Sequence, residues 1–120
     1  MCIRDRFACP SIYEPLGIVN LEAMACETAV VATATGGIPE VVVDGQTGRL
    51  VPIEQATDGT GTPLDPERYV ADLAAALTDA VSDTDRARSF GVAGRRRAEK
   101  SFGWAAVAER TLEVYRKALG

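Results

Sequence analysis

The chain has 120 residues, of which 47% are hydrophobic and 25% charged, so it has room for one compact domain around one core. It carries 17 Asp and Glu against 13 Lys and Arg, and the resulting net charge of -4 disfavours nucleic acid as a partner. No apolar run approaches the ~20 residues that cross a bilayer, and the start lacks the apolar stretch of a secretory signal. These features predict a cytoplasmic protein that binds neither nucleic acid nor membranes.

Histidine is absent, and the three cysteines, Cys2, Cys9 and Cys26, form no C-x-x-C pair. The absence of histidine excludes Ser-His-Asp chemistry and most zinc sites. An odd number of cysteines in a chain without a secretory signal favours reduced thiols over a disulfide framework. We expect Cys9 and Cys26 to be buried, inert thiols.

Two strands and a helix are predicted in the first third of the chain. Residues 7–10 and 29–33 are short apolar runs typical of buried parallel strands. Between them, residues 16–26 follow Pro15 and have the spacing of a helix that packs on a sheet. This order implies a right-handed parallel crossover. A weaker third strand is predicted at residues 49–51, after a tight glycine turn.

Residues 54–64 are rich in glycine and threonine and are predicted to form a mobile surface loop. Three helices are predicted beyond it, the first opening at Asp65-Pro66 and the second covering about residues 84–100. The third begins near Trp104, and its apolar stripe should cover the sheet; the stripe consists of Val107, Thr111, Leu112, Tyr115 and Leu119. The predicted fold is therefore α/β, a partial Rossmann-like domain with a short parallel sheet of about three strands and C-terminal helices.

Three strands are fewer than the usual ~5 in a sheet, so the chain looks truncated. Parallel sheets are covered on both faces and flanked by partner strands. We therefore expect the strand at Phe7 to expose an edge that belongs to a missing half.

Two carboxylates flank the opening of the first predicted helix. Glu14 lies in the loop at the carboxyl end of the first strand, and Glu22 lies about two turns into the helix. Backbone N–H groups at a helix N-terminus favour an anion, and here they belong to Leu16, Gly17, Ile18 and Val19. Gly17 would let a ligand approach the backbone closely.

Carboxylates repel a diphosphate, so two acids that lie beside a bound diphosphate must accept hydrogen bonds from neutral hydroxyl groups. A nucleotide sugar has this layout, with its diphosphate in the middle, its ribose near Glu22 and its transferred sugar near Glu14. Open α/β sheets bind such ligands beyond the carboxyl ends of their strands. A glycosidase would need both carboxyls aimed at one bond, about 5 to 10 Å apart, and nothing else in the sequence supports that alternative.

The spacing Glu14-x7-Glu22, with T-G-G-I-P-E at residues 35–40 and G-Q-T-G-R-L-V at residues 45–51, resembles the C-terminal domain of retaining GT-B glycosyltransferases of family 4. Within that family, C-P-S-I-Y-E-P at residues 9–15 and V-P-I-E at the end of the third strand are most similar to the actinobacterial glycogen synthase branch.

The resemblance starts at about residue 7. We therefore assign residues 1–6 to a non-native leader, which would make the truncation an artefact. Residues 7–120 are assigned to the C-terminal, nucleotide-sugar-binding part of a group 1 glycosyltransferase.

The resemblance implies that Glu14 is the catalytic-site acid that contacts the hydroxyls of the transferred sugar. It also implies that the backbone of Leu16, Gly17, Ile18 and Val19 holds the donor diphosphate or sugar, and that Glu22 holds the ribose. The implied reaction transfers glucose from ADP-glucose or a related nucleotide glucose, with retention, to a glucan or sugar-phosphate acceptor. Positive charge and the helix N-terminus would stabilise the leaving group, with no metal or other cofactor.

The acceptor would bind through an N-terminal domain outside this sequence, together with the family's basic diphosphate-neutralising pair, so the isolated chain is expected to be inactive. Two alternatives stay open. One is another family 4 transferase that handles mannose or forms a disaccharide. The other is a non-catalytic Rossmann-like binding module in which the two glutamates are structural.

Several other features have simpler structural interpretations. Asp83-Thr84-Asp85 has the D-x-D pattern that binds a metal in another glycosyltransferase fold. It lies between two predicted helices, so we interpret it as a helix cap followed by an acid in the first turn. The arginines at 95–97 are interpreted as a solvated face, and the glycines at 36–37 as turn residues. Trp104 and Tyr115 are predicted to lie in the core or in an interface.

Overall fold

The structure is a computed structural model, and it describes residues 6–120. Its elements in chain order are β1 (Arg6–Cys9), α1 (Ile18–Ala25), β2 (Ala29–Thr33), α2 (Ile38–Val41), β3 (Gly48–Val51), α3 (Pro66–Ser82), α4 (Thr84–Phe102) and α5 (Trp104–Leu119). The three strands are parallel in the order β1-β2-β3. The predicted α/β fold with a short parallel sheet and C-terminal helices is confirmed.

The predicted leader falls almost wholly outside the described residues. Its last member, Arg6, is the first residue of β1, and its Nε donates a hydrogen bond to the Ala80 carbonyl in α3 at 2.5 Å. Arg6 therefore joins the sheet to a helix.

The apolar run at residues 29–33 forms the central strand β2, and all five of its residues are buried. Parallel strands buried on both faces lose the alternation of polar and apolar residues. β1 pairs with β2 from Arg6 opposite Ala29 to Cys9 opposite Ala32. Within residues 6–120, the other edge of β1 pairs with no strand, as the sequence predicts.

Helix α4 packs against α1 through a face of very small side chains. Its buried residues recur at helical spacing and are Ala87, Gly91, Gly94 and Ala98. A Cβ at Gly91 would lie 2.0 Å from the Glu27 carbonyl oxygen, just beyond α1. The two helices can therefore lie this close only because Gly91 has no side chain. Met24 of α1 and Ala98 belong to the same core cluster.

The caps of the two long helices agree with the sequence. Asp65 accepts a hydrogen bond from the Arg68 N–H at 3.0 Å and opens α3, with Pro66 in its first turn. Asp83 accepts from the Arg86 N–H at 2.9 Å and opens α4. The interpretation of the D-x-D sequence as a helix cap is confirmed.

Helix α5 differs from its prediction. Its apolar stripe does not cover the sheet, since Leu112, Tyr115 and Leu119 are exposed and the helix packs mainly on α4. Trp104 is 89% exposed, which excludes a place in the core. The strands instead pack against α1, α3 and α4. Helical periodicity correctly identified an amphipathic helix here, but it carries no information about which surface the apolar side meets.

The interpretation of the three arginines as a solvated face is wrong for Arg97. Its Nε donates to the Val41 carbonyl at 2.8 Å and its Nη2 to the Glu40 carbonyl at 2.7 Å, so it caps the C-terminal end of α2. The guanidinium also lies 5.6 Å from the centre of the Phe102 ring, within the range of a cation–π contact. Arg97 therefore joins α4 to α2.

The prediction that both cysteines are buried is confirmed for Cys9 and wrong for Cys26. Cys26 follows the last residue of α1, where the chain turns towards β2. Its position at a helix end, rather than on the buried face, explains its exposure.

Candidate functional site

Glu14 is held at both its backbone and its side chain. Its Oε1 accepts a hydrogen bond from the Gly17 N–H at 3.1 Å, and its backbone carbonyl accepts one from the Gly37 N–H at 3.0 Å. The side chain is only partly exposed. The sequence-predicted acid thus lies at the opening of α1, in a defined orientation.

The opening of α1 lies two residues later than predicted. Gly17 is the N-cap and adopts φ 85° and ψ 48°, a left-handed conformation in which a right-handed helix cannot start. Leu16 and Gly17 therefore precede the helix, which begins at Ile18. Glu22 is the fifth helical residue and lies little more than one turn, not two, into α1.

The four predicted donor-binding amides are not equivalent in the structure. The Gly17 N–H already bonds to Glu14, while no side chain caps α1 and no acidic residue lies in its first turn. Ile18 is 60% exposed and Val19 is 44% exposed, whereas Gly17 and Asn20 are buried, so only one side of this end of the helix is open. Glu22 is exposed on the same helix. Of the four predicted donor-binding amides, the Gly17 N–H is occupied by Glu14.

The predicted turn role of Gly36 and Gly37 is confirmed, and it bears directly on Glu14. A Cβ at Gly36 would lie 1.9 Å from the Glu14 carbonyl oxygen, and one at Gly37 would lie 2.2 Å from the Pro15 carbonyl oxygen. Gly36 also has a positive φ of 53°. Only glycine lets this turn pack directly against the loop that carries Glu14.

The predicted mobile loop at residues 54–64 is held in place by Gln55. The Gln55 Nε2 donates to the Ile12 carbonyl at 2.6 Å and to the Gly61 carbonyl at 2.7 Å, and its Oε1 accepts from the Thr35 hydroxyl at 2.9 Å. Backbone hydrogen bonds also close the loop on itself. One side chain therefore ties this loop to the segment that precedes Glu14.

At the tip of the same loop, Asp58 accepts hydrogen bonds from the hydroxyl and the backbone N–H of Thr60, at 2.6 and 3.0 Å. These bonds lower the pKa of Asp58 from its ordinary value of 3.8. Glycine-rich composition indicated mobility, whereas the polar side chains of the loop supply the bonds that order it.

Asn20 is a buried polar residue next to the predicted site that the sequence analysis did not single out. It is completely buried in α1, and neither its Nδ2 nor its Oδ1 has a hydrogen-bond partner among the described residues. Its Nδ2 would be 2.7 Å from a Cβ on Gly17. The available signal was a polar side chain four residues before Met24, on the helix face that packs into the core.

A surface cavity beyond β3 is lined by Pro52, Ile53, Glu54, Asp65, Arg68 and Tyr69, and none of the predicted donor-binding residues lines it. Within residues 6–120, no three Cys, Asp or Glu side chains come together as metal ligands. No helix in that part of the chain is long and apolar enough to cross a membrane. The cytoplasmic location stays a prediction.

The sequence profile of the family described as glycosyl transferases group 1 matches residues 1–97. The chain belongs to this family. The match includes the Glu14 loop, α1 and the Gly36-Gly37 turn, which are elements of the site described above, and it extends over most of α4.

A curated relative of the group 1 glycosyltransferase chain is alpha-maltose-1-phosphate synthase from Mycolicibacterium smegmatis. It is 60% identical over 111 residues, which are 92% of this chain and 27% of the relative. The chain therefore spans about a quarter of the length of that protein.

Two solved structures share the fold. Sucrose-phosphate synthase from Thermosynechococcus elongatus has a TM-score of 0.73 at 36% identity, covering 96% of this chain and 25% of that protein. The Anabaena HepE protein, in complex with UDP and glucose, has a TM-score of 0.73 at 26% identity, and the match covers 97% of this chain and 28% of HepE. These neighbours are GT-B glycosyltransferases, and the α/β architecture of the chain matches theirs.

Proposed function

We propose that this chain is the nucleotide-sugar-binding part of a retaining hexosyltransferase of family 4, similar to the glycogen synthase branch. The reaction transfers glucose from ADP-glucose or a related nucleotide glucose to a sugar-phosphate or glucan acceptor. The observation that carries the proposal is the Glu14 carboxylate, anchored beside the uncapped N-terminus of α1. The UDP and glucose bound to the HepE neighbour support a nucleotide-sugar donor.

In this proposal, the N-terminus of α1 stabilises negative charge that develops on the leaving diphosphate. Fixed N–H dipoles need no reorganisation as the bond breaks, so they act without a metal or other cofactor. Glu14 accepts hydrogen bonds from hydroxyls of the transferred sugar, and Glu22 accepts them from the ribose. The acceptor binds through residues outside this chain.

The name of the Mycolicibacterium relative favours a sugar phosphate over a glucan as the acceptor, because maltose 1-phosphate is itself a phosphorylated disaccharide. The name of the sucrose-phosphate synthase neighbour favours the related alternative, a group 1 transferase that forms another disaccharide. Incubating the full-length protein with ADP-glucose or UDP-glucose and a panel of sugar phosphates and glucans would distinguish these reactions by their products.

Conservative replacement of the acids tests the site in the full-length protein. We expect Glu14→Gln and Glu22→Gln to lower kcat/KM for the donor by at least about tenfold, the effect of one lost hydrogen bond to a charged group. Glu67→Gln is the matched control, because Glu67 is an exposed acid in the first turn of α3. Turnover that is unchanged in both site variants would favour the non-catalytic binding module.

A further inference from the structure

Asn20 is a buried polar side chain with no partner among the described residues, at the opening of α1. Burying an amide without hydrogen bonds lowers stability, so such a group requires an explanation. An apolar side chain of similar shape would avoid this cost. The position of Asn20 indicates what its amide could bind.

The Asn20 amide and the stem of Glu14 both lie beside Gly17. The position that a Cβ would take on Gly17 is 2.7 Å from Asn20 Nδ2 and 3.5 Å from Glu14 Cγ. Both distances end at the same point, so Nδ2 and Cγ are near neighbours across Gly17. A carboxylate oxygen is two bonds beyond Cγ, and the role argued below requires that rotation of the Glu14 side chain bring it to Nδ2. The absence of a side chain on Gly17 leaves this path open.

The Glu14 carboxylate and a donor diphosphate require the same N–H group. In the structure, the Glu14 Oε1 accepts from the Gly17 N–H. A phosphate oxygen bound at that N–H would displace the carboxylate, which would then need another hydrogen-bond donor to keep a defined orientation. Nδ2 of Asn20 is a donor beside Gly17 that has no partner in the described part of the chain.

We propose that Asn20 is a positioning residue of the donor site: when the donor takes the Gly17 N–H, the Glu14 carboxylate moves to Asn20 Nδ2, which holds it towards the transferred sugar. The inference rests on the proposed function and assigns Asn20 a role at that site. It explains together the unpartnered amide, the requirement for glycine at position 17 and the intramolecular bond of Glu14.

Asn20→Leu in the full-length protein tests this role. Leu keeps the branched outline and has no polar atoms, so the variant should unfold at a temperature equal to or above that of the wild type. Its kcat/KM for the donor should fall by roughly 10- to 100-fold, the factor of a lost charge-assisted hydrogen bond, with an unchanged KM for the acceptor. Met24→Leu, a core change one turn later on the same helix, should leave both kinetic constants unchanged.

A double variant tests whether Asn20 acts through Glu14. If it does, adding Asn20→Leu to Glu14→Gln should cause little further loss, because both changes remove the same interaction. Multiplicative losses would overturn the proposal. Wild-type kinetics in Asn20→Leu would overturn it too and identify the amide as structural.

Asn20→Asp provides an independent test should the leucine variant not fold. An ionised Asp at this position is an acceptor only and repels Glu14, whereas the protonated form regains a donor. Burial raises the pKa of an Asp carboxyl. Relative to wild type, the variant should therefore recover donor affinity as pH falls, and a constant ratio across pH would overturn the proposal. Unchanged turnover in Glu14→Gln would instead contradict the proposed function itself.

Discussion

Gly91→Ala perturbs the contact that sets the distance between α1 and α4. The added Cβ would lie 2.0 Å from the Glu27 carbonyl oxygen and 2.7 Å from its carbon. An ordinary C···O contact is about 3.3 Å or longer, so a segment of backbone must move by more than ~1 Å. Overpacking of this kind costs up to about 3 kcal/mol, against a gain of about 1 kcal/mol in helix propensity.

The net expectation is a loss of about 2 kcal/mol in the free energy of unfolding, or roughly 8 °C in Tm for a domain of this size. Urea and thermal unfolding, followed by far-ultraviolet circular dichroism, would measure the change. The site should weaken too, because α1 carries both Asn20 and Glu22.

Gly94→Ala is the matched control on the same helix. It adds the same methyl group and gains the same propensity, but its Cβ would meet the Met24 side chain at 3.3 Å rather than backbone. A flexible thioether can shift by a few tenths of an ångström. We expect a change between zero and about 1 kcal/mol of added stability. Equal shifts in Gly91→Ala and Gly94→Ala would refute the backbone-contact reasoning.

Three single hydrogen-bonded groups offer further tests. Gln55→Glu removes the amide that donates to the Ile12 and Gly61 carbonyls. The free energy of unfolding in urea should fall by about 2 kcal/mol. Part of this loss should be recovered at acidic pH, because a protonated carboxyl is again a hydrogen-bond donor. Asp83→Ala removes the cap on the Arg86 N–H and should cost about 1 kcal/mol, measured by thermal unfolding; no change would contradict the cap assignment. Because the pKa of Asp58 is lowered on folding, its stabilising contribution is present above pH 3.8 and is lost as pH falls through the folded-state pKa. An NMR titration should show that the Asp58 carboxyl titrates below pH 3.8. The Asp58→Asn variant has no carboxyl at this position and should not show that titration.

Local features of the sequence predicted the local structure well. Asp65-Pro66 and Asp83 open their helices because a short acidic side chain can reach a backbone N–H three residues ahead. The apolar run at residues 29–33 identified the buried strand β2, whereas in β1 only Cys9 is buried. Gly36-Gly37 identified a turn. The loop that carries Glu14 and the helix after it were found in the same way, since a strand end, a loop and a helix start are adjacent in the chain, although α1 begins two residues later than predicted.

Other features depend on which distant segments meet, and sequence periodicity does not encode that. The apolar stripe of α5 lies away from the sheet, and Arg97 caps a helix more than fifty residues earlier in the chain. The Gln55 bridge likewise joins segments distant in sequence.

The sequence by itself determined the order of strands and helices and the caps of α3 and α4, because each depends on the conformation of near neighbours in the chain. Only the tertiary structure decided the contact of the Glu14 loop with Gly36 and Gly37, the close α1–α4 contact at Gly91 and the burial of Asn20. These depend on the separation of packed backbones, where a single methyl group or a shift of one ångström decides which atoms meet.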